Sequence, residues 1–164
     1  THGRPSAARR MLYIGSFDRR VLVRPRTRCG RIMAITVEVS VGELLDKITI
    51  LAIKTERMTD PAKLANVRRE LETLQGTWAA SAYSKHDLGR HIAELKRINE
   101  ALWEIEDGIR AKEAASEFDD AFIALARSVY LRNDERARVK KEINMQVGSA
   151  LVEEKSYTDY RRDG

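Results

Sequence analysis

The longest regular pattern of apolar positions lies between residues 84 and 115. Its members recur in steps of three and four: Leu88, Ile92, Leu95, Ile98, Leu102, Ile105 and Ile109. This spacing is typical of an amphipathic helix. Two overlapping series widen the apolar stripe, so we expect this helix to contact neighbours on more than one side. Ser84 and Asp87 have the spacing of a capping box at its start. The stretch therefore predicts a long central helix.

Two polar residues, Asn99 and Glu106, fall on heptad positions of that stripe. They could lie at the edge of the stripe, partly in contact with water. Alternatively, they could form a buried polar layer that fixes the register or the partner of the helix, as a single Asn does in coiled coils. The pattern leaves both interpretations open.

The same periodicity predicts helices before the central one. Ser40 and Glu43 form an S-x-x-E capping box in front of an apolar series that continues to about Arg57. Asp60 followed by Pro61 is a specific signal for the start of the next helix.

Two more helices are predicted after the central one. The first begins at Ser116 or Asp119. The second begins with Asn133 or Asp134 as its cap and ends at Gly148.

A different pattern precedes all the helices. Ile35, Val37 and Val39 alternate with polar residues, which is typical of a half-buried strand. One strand is not stable alone, so we expect it to pair with residues 21–23 or with the same strand of a second copy. The predicted fold is all-α: a bundle of about five helices with a long central helix and one short N-terminal β-strand. We expect the two-faced helices to support a homodimer.

Charge divides the chain into two parts. The net charge is +5, but residues 1–32 contain nine arginines and one acid, for a net of +8, and the remaining 132 residues carry −3. We therefore expect a basic N-terminal extension, 1–32, and a single helical domain, 33–164. The extension could be a cloning remnant or an upstream region translated from an early start. It could also be a basic arm that binds nucleic acid or anionic lipid, or a targeting peptide.

Several kinds of chemistry are excluded or disfavoured by the residues present. The single cysteine, Cys29, excludes an intrachain disulfide and fits a reducing compartment, so we expect a cytoplasmic protein. No apolar run is long enough to span a membrane, and no Gly-rich phosphate loop is present. His86 and His91 are five residues apart, so they do not share a helix face as metal ligands would, and we expect both at the surface. No metal or cofactor is predicted.

The carboxylates of the central helix need separate consideration. Glu100, Glu104 and Asp107 lie on one helix face, and Glu104-x-x-Asp107 has the spacing with which helical nucleotide pyrophosphatases hold magnesium. The second acidic cluster of such enzymes is missing from this sequence. Pairing of these acids with Lys96 and Arg97, or contact with solvent, is therefore the favoured interpretation.

A basic cluster surrounds the predicted helix start at Asn133. It consists of Arg127, Arg136, Lys140 and Lys141. A helix N-terminus beside several cations is suited to an anion, but Asp134 could cap the same N-terminus. A phosphate site and a structural network of salt bridges both remain open.

Five motifs occur in an order that resembles an uncharacterised family of small helical proteins from bacteria and phages, which carries a domain-of-unknown-function label. The motifs are VSVGELLDKITILAIK (39–54), LWEIEDGIR (102–110), FIALARSVY (122–130), NDERARVKKEIN (133–144) and EEKSY (153–157). The resemblance covers residues 35–160. It implies a link to surface-polysaccharide pathways and no established catalytic residues.

The polar residues of these motifs are the candidate ligand- or partner-binding residues. They are Glu43, Asp46, Lys47, Lys54, Asp107, Arg110, Arg127, Asn133, Asp134, Arg136, Lys140 and Lys155. If the bundle gathers them in its interior, they form a candidate site; if they are spread over its outside, they are solvated surface.

Two functions follow from these possibilities. The first is a non-enzymatic binding or accessory module that acts on a protein partner or a second copy through helix contacts. The second is an enzyme or ligand-binding protein for a phosphorylated sugar or nucleotide. Nucleic-acid binding is expected only through the N-terminal arginines.

Overall fold

A computed structural model describes residues 35–156, and every helix in that range lies in the compact unit Val37–Gly164. The helices are α1 (Val41–Arg57), α2 (Pro61–Ala80), α3 (Gly89–Ala115) and α4 (Asp120–Val147), with a 3-10 turn at Ala82–Lys85 before α3. The predicted all-α fold is confirmed. α3 and α4 pack antiparallel along each other, and α1 packs against each of the other three helices.

The core lies where α1, α3 and α4 meet. Leu95 and Ile98 of α3 are fully buried, so the stripe of the central helix does face the interior. Ile53 of α1 is also fully buried, although its position in the pattern lies off the main apolar face of that helix. The central apolar cluster is Val41, Leu45, Leu88, Leu95, Ile98, Leu102, Val139, Ile143 and Val147.

The start of α1 is fixed by one nearby and one distant side chain. The Ser40 hydroxyl accepts a hydrogen bond from the Glu43 N–H at 3.2 Å, as the capping box predicts. Asn144 of α4 accepts a hydrogen bond from the Gly42 N–H at 2.7 Å through its Oδ1 atom. Because these N–H groups already have acceptors in the protein, they are not available to bind an external anion.

α2 begins as predicted but remains at the surface. The Asp60 carboxylate accepts hydrogen bonds from the backbone N–H groups of Ala62 and Lys63 at 2.9 and 3.1 Å, and Pro61 occupies the first helical position. No residue of α2 is fully buried, so this helix covers one side of α1 without forming the centre of the core.

The predicted start of the central helix is wrong. Ser84 lies in the 3-10 turn, where its hydroxyl donates a hydrogen bond to the Ser81 carbonyl at 2.9 Å. That local bond competes with a capping role. α3 begins at Gly89, whose N–H donates to the Asp87 carboxylate at 3.3 Å.

The two predicted C-terminal helices are one continuous helix. α4 begins after Asp119, which accepts the Phe122 N–H at 3.0 Å, and it continues through residue 133 without a break. The Asn133 side chain does not cap a helix start, because its amide donates to the Val129 carbonyl at 2.9 Å inside the helix. The chain therefore has four α-helices within residues 35–156, and the predicted anion site at a helix N-terminus near Asn133 does not exist.

The predicted N-terminal strand is absent from the described part of the chain. Residues 35–40 carry no regular secondary structure, and Ile35, Val37 and Val39 are exposed. Within residues 35–156 there is no other strand with which this segment could pair. The proposed partner, 21–23, lies outside the described residues, as do Cys29 and the arginine-rich segment 1–32.

The two histidines of the helical domain differ in their environments. His86 is exposed, as predicted, but His91 is only 7% exposed, so the expectation of a surface position is wrong. His91 lies on the side of α3 that faces α4, where its Nε2 atom is 3.8 Å from the Glu142 carboxylate. The prediction failed because the buried face of α3 includes this polar position in addition to the apolar ones.

Candidate functional site

A cavity of about 480 Å³ opens between α1, α3 and α4. The apolar lining residues are Ile50, Ile53, Leu102 and Trp103. The polar lining residues are Asn99, Glu106, Asp107, Arg110, Asn133 and Arg136. Small-molecule sites in proteins are concave, largely apolar pockets of about 300–1,000 Å³ with a few convergent polar groups. This cavity has both properties.

The floor of the cavity is a buried polar network centred on Asn99. Its Nδ2 atom donates hydrogen bonds to Asp46 Oδ1 at 2.8 Å and to Thr49 Oγ1 at 2.9 Å. Its Oδ1 atom accepts a hydrogen bond from Arg136 Nη1 at 3.3 Å. Asn99, Asp46 and Thr49 are all at most 5% exposed. Asn99 thus forms the buried polar layer that was one of the two interpretations of its heptad position.

Arg136 carries the positive charge at this floor. Its two guanidinium hydrogen bonds go to neutral amide oxygens, one to Asn99 and one to Asn133 at 2.6 Å. Among residues 35–156, no carboxylate forms a salt bridge with it. A guanidinium has five N–H donors, so three remain for another acceptor. The side chain is therefore oriented by the protein, while its charge is not neutralised by direct contact within the described residues.

Asp46 is the nearest buried acid to this arginine. Burial raises the pKa of the Asp46 carboxyl above its ordinary value, and the neighbouring Glu43 adds to this effect. The hydrogen bond from Asn99 and the charges of Arg136 and Lys140 lower the pKa, but they do not cancel the desolvation. Asp46 does not contact Arg136 directly, because the Asn99 side chain lies between the two groups.

A second charged cluster lies beside the network. Lys140 is 6% exposed, and its ammonium contacts the carboxylates of Glu43, at 2.7 Å, and Glu153. Burial disfavours the charge of Lys140, but the hydrogen bonds to Glu153 and Glu43 outweigh it and hold the pKa above its ordinary value. With two carboxylate partners, this lysine is a structural link between α1, α4 and the C-terminal segment.

The structure gathers seven of the twelve candidate residues in this region. Asp46, Asn133 and Arg136 belong to the polar network, and Asp107 and Arg110 line the cavity. Glu43 and Lys140 form the adjacent charged cluster. Arg110 is paired with Glu106 at 3.2 Å, so its charge is partly compensated.

The other five candidate residues lie outside the cavity lining. Lys47 pairs with Glu70 of α2 at 2.7 Å, and Arg127 lies 3.4 Å from the Tyr130 hydroxyl on the surface of α4. Lys54 is half-buried on α1, Asp134 borders a separate depression on α4, and Lys155 is exposed in the C-terminal segment. For these five the expectation of a shared interior site is not supported.

Sequence reasoning missed three contributors to the region: Thr49, Trp103 and Asn144. Thr49 and Trp103 have no local signal, because their roles depend on the approach of other helices. Asn144 had a weak signal, since a polar residue follows Ile143 on the inner face of the helix.

Two of the three acids of α3 considered for magnesium, Glu100 and Glu104, make salt bridges. Glu100 lies 3.6 Å from Lys96, as expected, whereas Glu104 contacts Arg57 of α1. Residues 35–156 contain no group of three or more His, Cys, Asp or Glu side chains arranged to hold a metal ion. Of the helices in that range, none combines the length and apolar character that crossing a bilayer requires.

The fold and the cavity define a small all-helical protein with a polar-floored cleft between three helices. The chain belongs to a family of unknown function, DUF6165, whose model matches residues 35–161. This match confirms the predicted membership of a domain-of-unknown-function family. Comparison with curated proteins and with solved structures finds no match.

Proposed function

We propose that this protein binds a small anionic ligand in the cleft, with Arg136 as the anchor for the negative group. The observation that carries the proposal is the guanidinium of Arg136 in a 480 Å³ cavity, where within residues 35–156 it is held by two neutral amide oxygens and by no carboxylate. A partly buried charge without an opposite charge in contact is costly unless something else compensates it. A phosphate or carboxylate of a ligand would supply that compensation.

The geometry of the anchor favours an oxyanion. Arginine recognises phosphate and carboxylate through paired N–H donors, which gives orientation as well as energy. Asn99 and Asn133 already restrain the two terminal nitrogens, so little side-chain freedom is lost when a ligand binds. The site is preorganised for its ligand.

The apolar residues of the cleft lining indicate what the anionic group is attached to. Ile53, Leu102 and Trp103 offer apolar and aromatic surface. The Arg57 guanidinium lies 5.8 Å from the Trp103 ring centroid, which restrains that ring. A molecule that joins a phosphate to a ring, such as a phosphorylated sugar or a nucleotide, matches both sets of lining residues. A phosphorylated sugar would also fit the polysaccharide link that the family resemblance implies.

Replacing Arg136 with glutamine tests the proposal. Charge-assisted hydrogen bonds contribute about 1.5–3 kcal/mol, so we expect Arg136→Gln to weaken the binding of sugar phosphates or nucleotides roughly 10- to 150-fold. The measurement is isothermal titration calorimetry against a panel of these compounds and inorganic sulfate.

Arg138→Gln is the matched control for this experiment. Arg138 lies on the same helix, but its guanidinium is exposed and bonds to Glu94 and Glu142. Its replacement should leave the affinity within about twofold of the wild type. Equal losses in both variants would show that net charge, and not the cleft, attracts the anion.

Exposed apolar residues in α4 and just before it support a second candidate function, self-association. Phe118, Ile123 and Leu131 are 59%, 52% and 42% exposed. Between residues 103 and 138 no apolar side chain of α3 or α4 is fully buried. A second copy that packs its own α4 against these residues would complete a four-helix arrangement.

Ile123→Glu tests the self-association. We expect this change to convert a dimer to a monomer in sedimentation equilibrium, because a carboxylate would be buried at the interface. Ala65→Glu, which adds the same charge to the exposed surface of α2, should leave the dimer intact. A wild-type protein that is monomeric at high concentration would refute this function without affecting the cleft.

A further inference from the structure

We propose, on the basis of the anion-binding function, that Asp46 is a proton-binding site coupled through Asn99 to the anion on Arg136, so that the cleft binds a proton and an anion together. Asp46 and Asn99 then act as positioning residues that set the affinity of the anchor. Neither needs to touch the ligand.

The connection between Asp46 and Arg136 is one side-chain amide. Asn99 donates to Asp46 Oδ1 at 2.8 Å and accepts from Arg136 Nη1 at 3.3 Å. The carboxyl and the guanidinium therefore lie at opposite ends of the same amide dipole. A change of charge at one end alters the electrostatic potential at the other.

Thr49 prevents this amide from rotating. The Thr49 hydroxyl donates its hydrogen to the Asp46 backbone carbonyl at 2.7 Å, so its oxygen can only accept the bond from Asn99 Nδ2 at 2.9 Å. Both hydrogens of that amide nitrogen are then used, one on Thr49 and one on Asp46. If the amide turned over, its oxygen would face two acceptors. The link has a single satisfied orientation.

The charges that act on Asp46 give the sign of the coupling. Glu43 on its own helix opposes ionisation, and Arg136 and Lys140 on α4 favour it, while α3 contributes the neutral Asn99. An anion bound to Arg136 would neutralise one of the two stabilising cations. Ionisation of Asp46 then becomes less favourable, so anion binding is accompanied by proton uptake.

Thermodynamic linkage requires the reverse effect to be equally large. The anion binds more tightly when Asp46 is protonated, and its affinity falls as the pH rises through the pKa of Asp46. Burial already places that pKa above the ordinary value of 3.8. The fall in affinity is therefore expected on the neutral side of the range in which an exposed aspartate titrates.

Sulfate is a suitable probe because it stays fully ionised over the pH range of the experiment, unlike a phosphate ester, whose second pKa is about 6. Calorimetric titrations in two buffers with different enthalpies of ionisation give the number of protons taken up. For the wild type we expect fractional proton uptake and a loss of affinity of roughly fivefold or more between low and neutral pH.

Asp46→Asn is the decisive variant. It keeps an oxygen that can accept the bond from Asn99 but cannot titrate, so its sulfate affinity should stay near the low-pH value of the wild type at every pH. Glu72→Gln, which removes an exposed acid on α2 that does not line the cavity, should keep the wild-type pH profile. A pH profile that persists unchanged in Asp46→Asn would overturn the coupling.

A carbon-13 NMR titration of Asp46 in the wild type gives the same answer without a mutation. The pKa of its carboxyl should rise when sulfate is added; an unchanged pKa in a protein that binds sulfate would overturn the coupling and leave the anion site standing. If neither sulfate nor any sugar phosphate binds to the wild type, the proposed function fails together with the coupling.

Discussion

Replacing Gly42 with alanine should lower the free energy of unfolding by about 3 kcal/mol or more, because the new methyl group would overlap a backbone. A Cβ atom at this position would lie 2.5 Å from the Lys140 carbonyl oxygen and 2.9 Å from its Cα atom. Backbone atoms inside a helix cannot turn aside as a flexible side chain can. α1 and α4 would have to separate, which would also break the 2.7 Å bond between Gly42 and Asn144.

Gly76→Ala is the control for this substitution. Nothing lies within 4 Å of a Cβ built at Gly76, which is inside α2. Alanine there should stabilise the protein by about 0.5–1 kcal/mol through its higher helix propensity. Both values can be obtained from urea denaturation. A Gly42→Ala protein as stable as the wild type would show that α1 and α4 are not in close contact.

Asn99→Leu should be the most damaging change to the polar network, with an expected loss of about 3 kcal/mol. The substitution removes the bonds to Asp46, Thr49 and Arg136 at once and leaves their polar groups buried without these partners. The loss should grow as the pH rises, because a protonated Asp46 tolerates burial better than an ionised one. Anion affinity should fall as well.

Asn66→Leu provides the comparison for Asn99→Leu in thermal and urea unfolding. Asn66 is exposed on α2, and substitutions at such positions usually change stability by less than about 0.5 kcal/mol. If Asn99→Leu were equally mild, Asn99 would have to lie in solvent, as in the other interpretation of its position in the heptad pattern.

The helices could be predicted where their signals are local. Apolar spacing depends only on neighbouring residues, and so do the caps at Ser40, Asp60 and Asp119, all of which the structure confirms. Asn133 shows the limit of such signals. The same residue type that caps a helix start can bond to the carbonyl one turn earlier inside a helix, and the sequence pattern does not distinguish the two.

The strand predicted from the alternation at residues 35–39 is absent for a different reason. A period of two describes a segment that can pair as a strand, but a strand forms only when a neighbour provides hydrogen bonds. Within residues 35–156 no such neighbour exists. The sequence pattern therefore indicated that this segment can form a strand, but it could not show whether a partner strand is present.

The candidate site could be predicted in its residue types but not in its assembly. Asp46 stands in the first motif, Asn133 and Arg136 stand in the fourth, and each alone fits a solvated face. Their convergence depends on α1 crossing the α3–α4 pair beside Asn99, which is a property of packing. Glu43 and Lys140 show the same dependence, because they are 97 positions apart and still form a 2.7 Å ion pair.

The central claim is that an anion binds to Arg136, whose guanidinium has no carboxylate in direct contact within residues 35–156. NMR spectra of the guanidinium Nε–Hε groups, recorded while sulfate or a sugar phosphate is added to the arginine-labelled protein, test it most directly. The Arg136 resonance, assigned by its disappearance in Arg136→Lys, should shift to saturation, while that of Arg138 stays in place. Saturable shifts at surface arginines with no change at Arg136 would contradict the claim.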